Sequence, residues 1–402
     1  MTISLIGIDD PLGVGVITGE NMPTPRGFLT HVANIGIKDE TDDFVIIASS
    51  GKCSADAVFT RSRFAGPSVL LSRRHMEMQT PRAIVTVSKN ANVATGKEGM
   101  SNAEELARSV ADLVGCTAAE VLVASTGIIG RQYPMDRIRA YLALNPVLQP
   151  ADFPAASKGI MTTDTVPKMA GVRLGPAVIA GIAKGVGMIE PNMATLLVYI
   201  CTDAQVPQEH LQPVFRRIVN CTFNCLSIDT DTSTSDTAVI LANGLAGPVD
   251  LKVFEHALYA VALSLVKQLA HDGEGATKLL EVTTINARDE EQAKRVAKAV
   301  LNSPLVKAAV HGADPNWGRV AMAIGKCFDD EDILPERVCI SFGGLNVYPD
   351  QMTSLKLEEL SAIMRAGEIN ITISLGTGTA SAVVWGCDLS EEYVRFNAQY
   401  AS

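Results

Sequence analysis

Thr195 stands where a Gly- and Pro-bearing segment meets a solid apolar run, in the stretch KGVGMIEPNMATLLVYI from Lys184 to Ile200. A cut between Ala194 and Thr195 would give this threonine a free α-amine beside its hydroxyl. Such a terminus is nucleophile and base in one residue, because an α-amine with a reference pKa of roughly 7.7–8.0 titrates near neutral pH and can take the hydroxyl proton. The run Leu196 to Ile200 reads as a buried strand that would hold the new terminus still. Thr195 also reads as an ordinary β-branched strand residue. The remaining motifs have to decide between the two.

Three other segments put hydroxyls and glycines in turns. STGIIG, Ser125 to Gly130, follows a strand-like VLVAS, and there the Thr126 hydroxyl and the Gly127 backbone N–H can point together at a developing oxyanion. Taken by themselves these residues read better as an ordinary turn. TTDT at Thr162 to Thr165 and DGEGATK at Asp272 to Lys278 suit an amino-acid-like ligand. Lys184 could meet a substrate carboxylate, or it could be a solvated surface lysine.

Several chemistries are excluded. The chain has no HExxH, GxSxG or GxxxxGK[ST] motif, and its six histidines lack ligand spacing. IDTDTSTSDT, Ile228 to Thr237, starts like a calcium loop but has Thr234 where Gly is needed and Ile240 where the closing Glu is needed. A hydroxyl-rich turn into the strand TAVILA is the better reading, and no metal or organic cofactor is expected.

The elements that must position these residues alternate between strand and helix. Phe44 to Ser50, Ala83 to Ser88, Val121 to Ser125, Leu279 to Ile285, Val338 to Phe342 and Ile369 to Leu375 read as strands. Helical patterns cover Pro207 to Cys225, Leu251 to Ala270 and Asp289 to Leu301. Ser101 and Glu104 form a capping box for a helix to Val114, which Gly115 ends. Residues up to Met22 read as an extension, and Pro146 to Pro154 as a linker or surface loop. The pattern predicts an α/β fold.

Composition narrows the partners. With 402 residues and 47% apolar side chains the chain can fill a large core or two domains. A net charge of -10 argues against a nucleic-acid surface. No apolar stretch approaches the roughly 18 residues of a membrane span, and the N-terminus shows no secretory signal, so a soluble cytoplasmic protein is expected. Eight cysteines without a CxxC pair fit reduced, buried thiols; Cys221 and Cys225 are spaced for one helix face.

The motifs together resemble the ornithine acetyltransferase family, also called glutamate N-acetyltransferases. The resemblance rests on KGVGMIEPNMAT, STGIIG, MTTDT, DTDTSTSDTAVILANG, DGEGATK, HGADPNWGR, GCDLS and FNAQYAS, in family order from about Pro23 to Ser402. It implies self-cleavage between Ala194 and Thr195, giving an alpha fragment of residues 1–194 and a beta fragment of 195–402 in a heterotetramer of two of each. Thr195 is implied as nucleophile, Thr126 and Gly127 as oxyanion hole, and Thr162, Lys184, Thr195, Glu274, Asn397 and Ser402 as substrate contacts. Paired sheets between helix layers are the implied architecture, with an N-terminal-nucleophile-like mechanism but a topology unrelated to the true hydrolases of that name. VSKNAN at Val87 to Asn92 departs from the NSGNAN of many members, and RSRFAGPSV, SKNANVATG and GRQYP look closer to the branch found with clavulanic-acid biosynthesis.

The reading is a ping-pong acetyl transfer from N-acetyl-L-ornithine to L-glutamate through acetyl-Thr195. An N-terminal-threonine amidohydrolase or aminopeptidase, a bifunctional enzyme that also uses acetyl-CoA, and a binding protein with an intact Ala194–Thr195 bond are the alternatives.

Overall fold

The computed structural model of the protein describes residue 13 and residues 15–37, 40–190 and 196–399. They form two units, the larger drawn from residues 9–224 and 231–265 and the smaller from 225–230 and 266 onward.

In chain order the larger unit contains β1 (Ile17–Thr18), β2 (Phe28–Ala33), β3 (Phe44–Ser49), β4 (Ser54–Phe59), α1 (Pro67–Met78), β5 (Ala83–Val87), α2 (Gly96–Val114), β6 (Val121–Ser125), α3 (Met135–Leu142) and β7 (Gln149–Pro150). There follow α4 (Phe153–Gly159), β8 (Lys168–Leu174), β9 (Ala177–Lys184), β10 (Leu197–Gln205), α5 (Gln208–Cys221), β11 (Thr237–Pro248) and α6 (Leu251–His271), whose last turns belong to the smaller unit. One sheet has the order β1-β8-β9-β10-β11-β4 and the other β6-β5-β3-β2-β7. Within these two sheets β10 with β11 and β5 with β6 pair in parallel, and the other neighbours are antiparallel.

The two sheets face each other. Val45, Ile47, Ile84, Leu122 and Ala124 from one pack with Ala180, Ile182, Leu197, Tyr199, Val239 and Leu241 from the other. Behind the five-stranded sheet, Phe44, Ile46, Val85 and Val123 pack against Leu71 of α1, Leu106 and Val110 of α2 and Ile138 of α3. Behind the six-stranded sheet lie α5, which packs on β4, and α6, whose Leu265 and Val261 fill the space over Gly181. The larger unit is thus two sheets between helix layers, as the family resemblance implied. Burial on both faces explains why β9 and β10 read as nearly continuous apolar runs.

Several boundaries differ from the sequence reading. Helix α2 begins at Gly96, five residues before the expected Ser101, so the Ser101–Glu104 capping box does not form. Its end is as expected, with Gly115 at φ 71 and its N–H on the Ala111 carbonyl. The N-terminal extension is docked: β1 pairs with β8, and Met22 is buried. The segment taken as a linker holds β7, which pairs with β2, and the start of α4. Cys225 lies in a short 3-10 turn beyond α5 and does not share its face with Cys221. None of the eight cysteines forms a disulfide, yet only Cys201, Cys225 and Cys387 are buried. Helix α6 is long and apolar enough to cross a membrane by composition, but 72% of its apolar window is buried inside the protein.

The smaller unit is built on β12 (Leu279–Ala287), α7 (Glu290–Leu301), α8 (Pro304–His311), α9 (Gly318–Ile324), β13 (Cys339–Phe342), β14 (Leu345–Tyr348), α10 (Ser354–Met364), β15 (Glu368–Ser374), β16 (Ala380–Cys387) and α11 (Glu391–Ala398). Its sheet runs β14-β13-β15-β12-β16, with α7 packed on β12 and β16. Asp289 caps α7 by accepting from Gln292 N–H.

In the middle of the buried space between the paired sheets the Tyr199 hydroxyl on β10 lies 2.7 Å from Thr86 Oγ1 on β5. Tyr199→Phe leaves the Thr86 hydroxyl buried without that partner, which costs about 1–3 kcal/mol. Tyr199→Phe combined with Thr86→Val removes both polar groups and is expected to be nearer wild type than Tyr199→Phe alone. Urea unfolding of the three proteins checks this; an additive double variant sinks it.

Candidate functional site

Strand β6 delivers Thr126. The strand ends at Ser125, Thr126 N–H donates to the Val87 carbonyl at 3.2 Å, and the side chain is buried. Gly127 then turns with φ 128, where a Cβ would stand 2.3 Å from the carbonyl carbon of Lys89. Both the conformation and the close backbone approach require glycine. Lys89, at the position where the resemblance expects glycine, adopts φ 70 and donates from Nζ to the Thr41 and Asp42 carbonyls.

Behind Thr126, the hydroxyls of Ser125, Ser68 and Tyr133 form a buried group, with Ser68 Oγ 2.6 Å from Ser125 Oγ and 2.9 Å from the Tyr133 hydroxyl. Burial pushes the Tyr133 phenol above its ordinary range, so it stays a neutral donor and acceptor. This network fixes the end of β6 from which Thr126 projects.

Strand β9 delivers Lys184, its last residue, paired in register with Leu197 at the start of β10. Lys184 is only 8% exposed, so the solvated-surface alternative is overturned. Its Nζ donates to Thr126 Oγ1 at 2.8 Å and Thr162 Oγ1 at 3.0 Å. An ammonium has no lone pair, so both threonine oxygens are acceptors here. The hydroxyl protons of Thr126 and Thr162 must therefore point elsewhere. A positively polarised pair of O–H donors is the result, suited to an oxyanion or a carboxylate.

Asp164 supports the group from below. Its Oδ1 accepts from Lys168 Nζ at 2.6 Å and from Gly185 N–H at 2.8 Å, and its Oδ2 from Thr162 N–H at 3.1 Å. Burial would raise this carboxyl, but the charges of Lys184 and Lys168 and the hydrogen bonds from Lys168 and Gly185 outweigh burial and hold it below the usual carboxylate range.

A second expected group lies in the smaller unit. Glu274 accepts from Asn397 Nδ2 at 2.9 Å. The loop bearing Glu274 is held by Asp388, which accepts from Thr277 N–H at 2.8 Å and Lys278 N–H at 3.0 Å, and by Ser390 Oγ, which donates to the Gly275 carbonyl at 2.6 Å. His311 Nδ1 sits 2.8 Å from the same Asp388 carboxylate, so HGADPNWGR and GCDLS meet on the DGEGATK loop.

Thr195, Ala194 and Ser402 lie outside the described residues. The larger unit brings Thr126, Gly127, Thr162 and Lys184 to one place, and the smaller brings Glu274 to Asn397. Asp164, Lys168 and Asp388 escaped the sequence reading as site residues, although Asp164 is inside the quoted TTDT and Asp388 inside GCDLS. The signal for Lys168 is its i+4 spacing from Asp164 at a strand start. Among the described residues no group of three or more potential metal ligands is present.

The sequence matches the ArgJ family over residues 29–402. An arginine biosynthesis bifunctional protein ArgJ 2 of Nostoc sp. is 54% identical over 380 residues, which covers 94% of this chain and 98% of the relative. The glutamate N-acetyltransferase Oat2 of Streptomyces clavuligerus is 53% identical over 386 residues, again 94% of this chain and 98% of the relative. A crystal structure of the arginine biosynthesis bifunctional protein from Bacillus halodurans is 38% identical and covers 50% of this chain and 98% of that chain, with a TM-score of 0.47. Identity above one half along nearly the whole length of two relatives, with the family match running from β2 to the last residue, shows that this chain belongs to the ArgJ family and is an acyltransferase.

Proposed function

We propose that the protein moves acetyl from N-acetyl-L-ornithine to L-glutamate by a ping-pong route through acetyl-Thr195, after cutting its own chain between Ala194 and Thr195. The observation that carries this reading is the Lys184 ammonium on the hydroxyl oxygens of Thr126 and Thr162. It leaves the Thr126 proton free to donate to a tetrahedral oxyanion. Leu197 pairs with Lys184, and the two residues from Thr195 to Leu197 span at most about 7 Å. The relatives named glutamate N-acetyltransferase and arginine biosynthesis bifunctional protein support the choice of substrates.

Maturation is an N-to-O acyl shift. Thr195 Oγ attacks the Ala194 carbonyl carbon, the C–N bond breaks, the departing amine takes the proton, and water opens the resulting ester. The free Thr195 then attacks N-acetylornithine; its own amine accepts the hydroxyl proton and returns it to the leaving ornithine amine. Glutamate's amine attacks the acetyl ester in the second half-reaction and restores Thr195. Glu274, Asn397 and Ser402 serve as further substrate contacts, and the mature assembly is two alpha with two beta fragments.

Three outcomes are expected. Because β9 and β10 are adjacent strands, the alpha fragment 1–194 and beta fragment 195–402 should separate only in denaturant, while Thr195→Ala stays one chain; mass spectrometry under native and denaturing conditions reads both. Efficient cutting of Thr195→Ala would end the self-cleavage reading. Thr126→Ala, measured on its fully cleaved fraction, should lose roughly 100- to 1000-fold in kcat, the usual cost of one oxyanion donor; unchanged turnover would move the oxyanion hole elsewhere. N-acetylornithine without acceptor should leave one acetyl mass on the first residue of the beta fragment, and glutamate should discharge it. Discharge by water at the same rate would favour the amidohydrolase alternative, and equal charging by acetyl-CoA would make the enzyme bifunctional.

A further inference from the structure

We propose that Asp164 is a positioning residue that keeps Lys184 an ammonium and holds it between Thr126 and Thr162, with Lys168 as the opposing charge that limits its pull. The inference rests on the functional reading of Lys184 above and extends it to two residues with no assigned role.

The geometry is a three-way tie. The Asp164 carboxylate accepts from Thr162 N–H, from Gly185 N–H directly after Lys184, and from Lys168 Nζ at the start of β8. One buried group thus fixes the loop carrying Thr162 and the strand end carrying Lys184 relative to each other. The side chains of Asp164 and Lys168 are both fully buried, so neither charge is screened by water. Of the other strands at Lys184, β10 places the apolar Leu197 opposite it and β6 brings the neutral Thr126 hydroxyl. Among the described residues Asp164 brings a carboxylate to the group, and Lys168, paired with it at 2.6 Å, brings a second cation.

Without the Asp164 carboxylate, on which the charges of both lysines act, Lys184 would lose its proton more readily. A neutral lysine amine would cease to be an obligate donor, and the Thr126 proton could turn back toward it and away from substrate.

The test uses the cleaved protein with lysine labelled at 13Cε and 15Nζ, Lys184 being assigned by the signal that Lys184→Met removes. Asp164→Asn should lower the Lys184 titration midpoint by about one pH unit or more, Lys168→Met should raise it, and the double variant should return it toward wild type. The alkaline limb of kcat/KM should move the same way in each. A merely structural role for Asp164 predicts a lower Tm with unmoved midpoints, and equal midpoints in wild type and Asp164→Asn overturn the proposal. If Asp164→Asn does not fold, the upward shift in Lys168→Met still decides, since no shift or a downward one is incompatible with a Lys168 charge acting on Lys184. Unchanged acetyl transfer in Lys184→Met would sink the functional reading while leaving the titrations to judge Asp164.

Discussion

An ammonium buried at the end of a strand between two packed sheets is the constraint on which the site depends. A lysine so placed is held charged only if donors, acceptors and counter-charge are all supplied by the fold, because an unpaired buried ion costs several kcal/mol. Lys184 finds two threonine oxygens, from the turn after β6 and from the loop before β8, and a carboxylate that is itself tied to three backbone or side-chain donors. The same lysine therefore orders three segments that lie far apart in sequence. It also dictates the direction of two hydroxyl protons, which is the property a charge-stabilising site needs.

The six-stranded sheet would keep the protein stable through the chain break proposed between Ala194 and Thr195. The expected cut falls between β9 and β10, neighbours that share a continuous antiparallel ladder, and β10 continues in parallel register with β11. Strands on either side of the cut are buried on both faces and contribute to one core with the five-stranded sheet. Removing one peptide bond leaves those interactions in place. The ladder of β10 with β9 begins at Leu197, so a terminus produced by the proposed cut would be followed within two residues by the first rung of a central strand.

Carboxylates play the same organising part in both units. Asp164 collects donors from a loop, a strand start and a strand end, and Asp388 collects them from the turn before β12 and from α8. In each case the carboxyl is buried and its proton affinity is lowered, because the hydrogen bonds around it, joined at Asp164 by the charges of Lys184 and Lys168, outweigh the effect of burial. Neither residue sits in a recognisable catalytic spacing. Their importance follows from what converges on them.

The α/β class, most of the long periodic elements and, through ordered short motifs, the family and its expected site residues are legible in the chain alone. That information is local: apolar periodicity, glycine punctuation and motif order need no knowledge of which strand lies beside which. It misjudged local features that tertiary packing overrides, such as the start of α2, where the helix is extended to Gly96, and Pro146 to Pro154, recruited as an edge strand. The tertiary structure alone decided that Lys184 is buried, that its partners are Thr126 and Thr162, and that Asp164 and Lys168 sit beneath it. Thr126 and Lys184 are separated by 58 positions, and no sequence period links them. Only the facing of two sheets brings their side chains within hydrogen-bonding distance, because packing, unlike periodicity, acts between residues without regard to their separation along the chain.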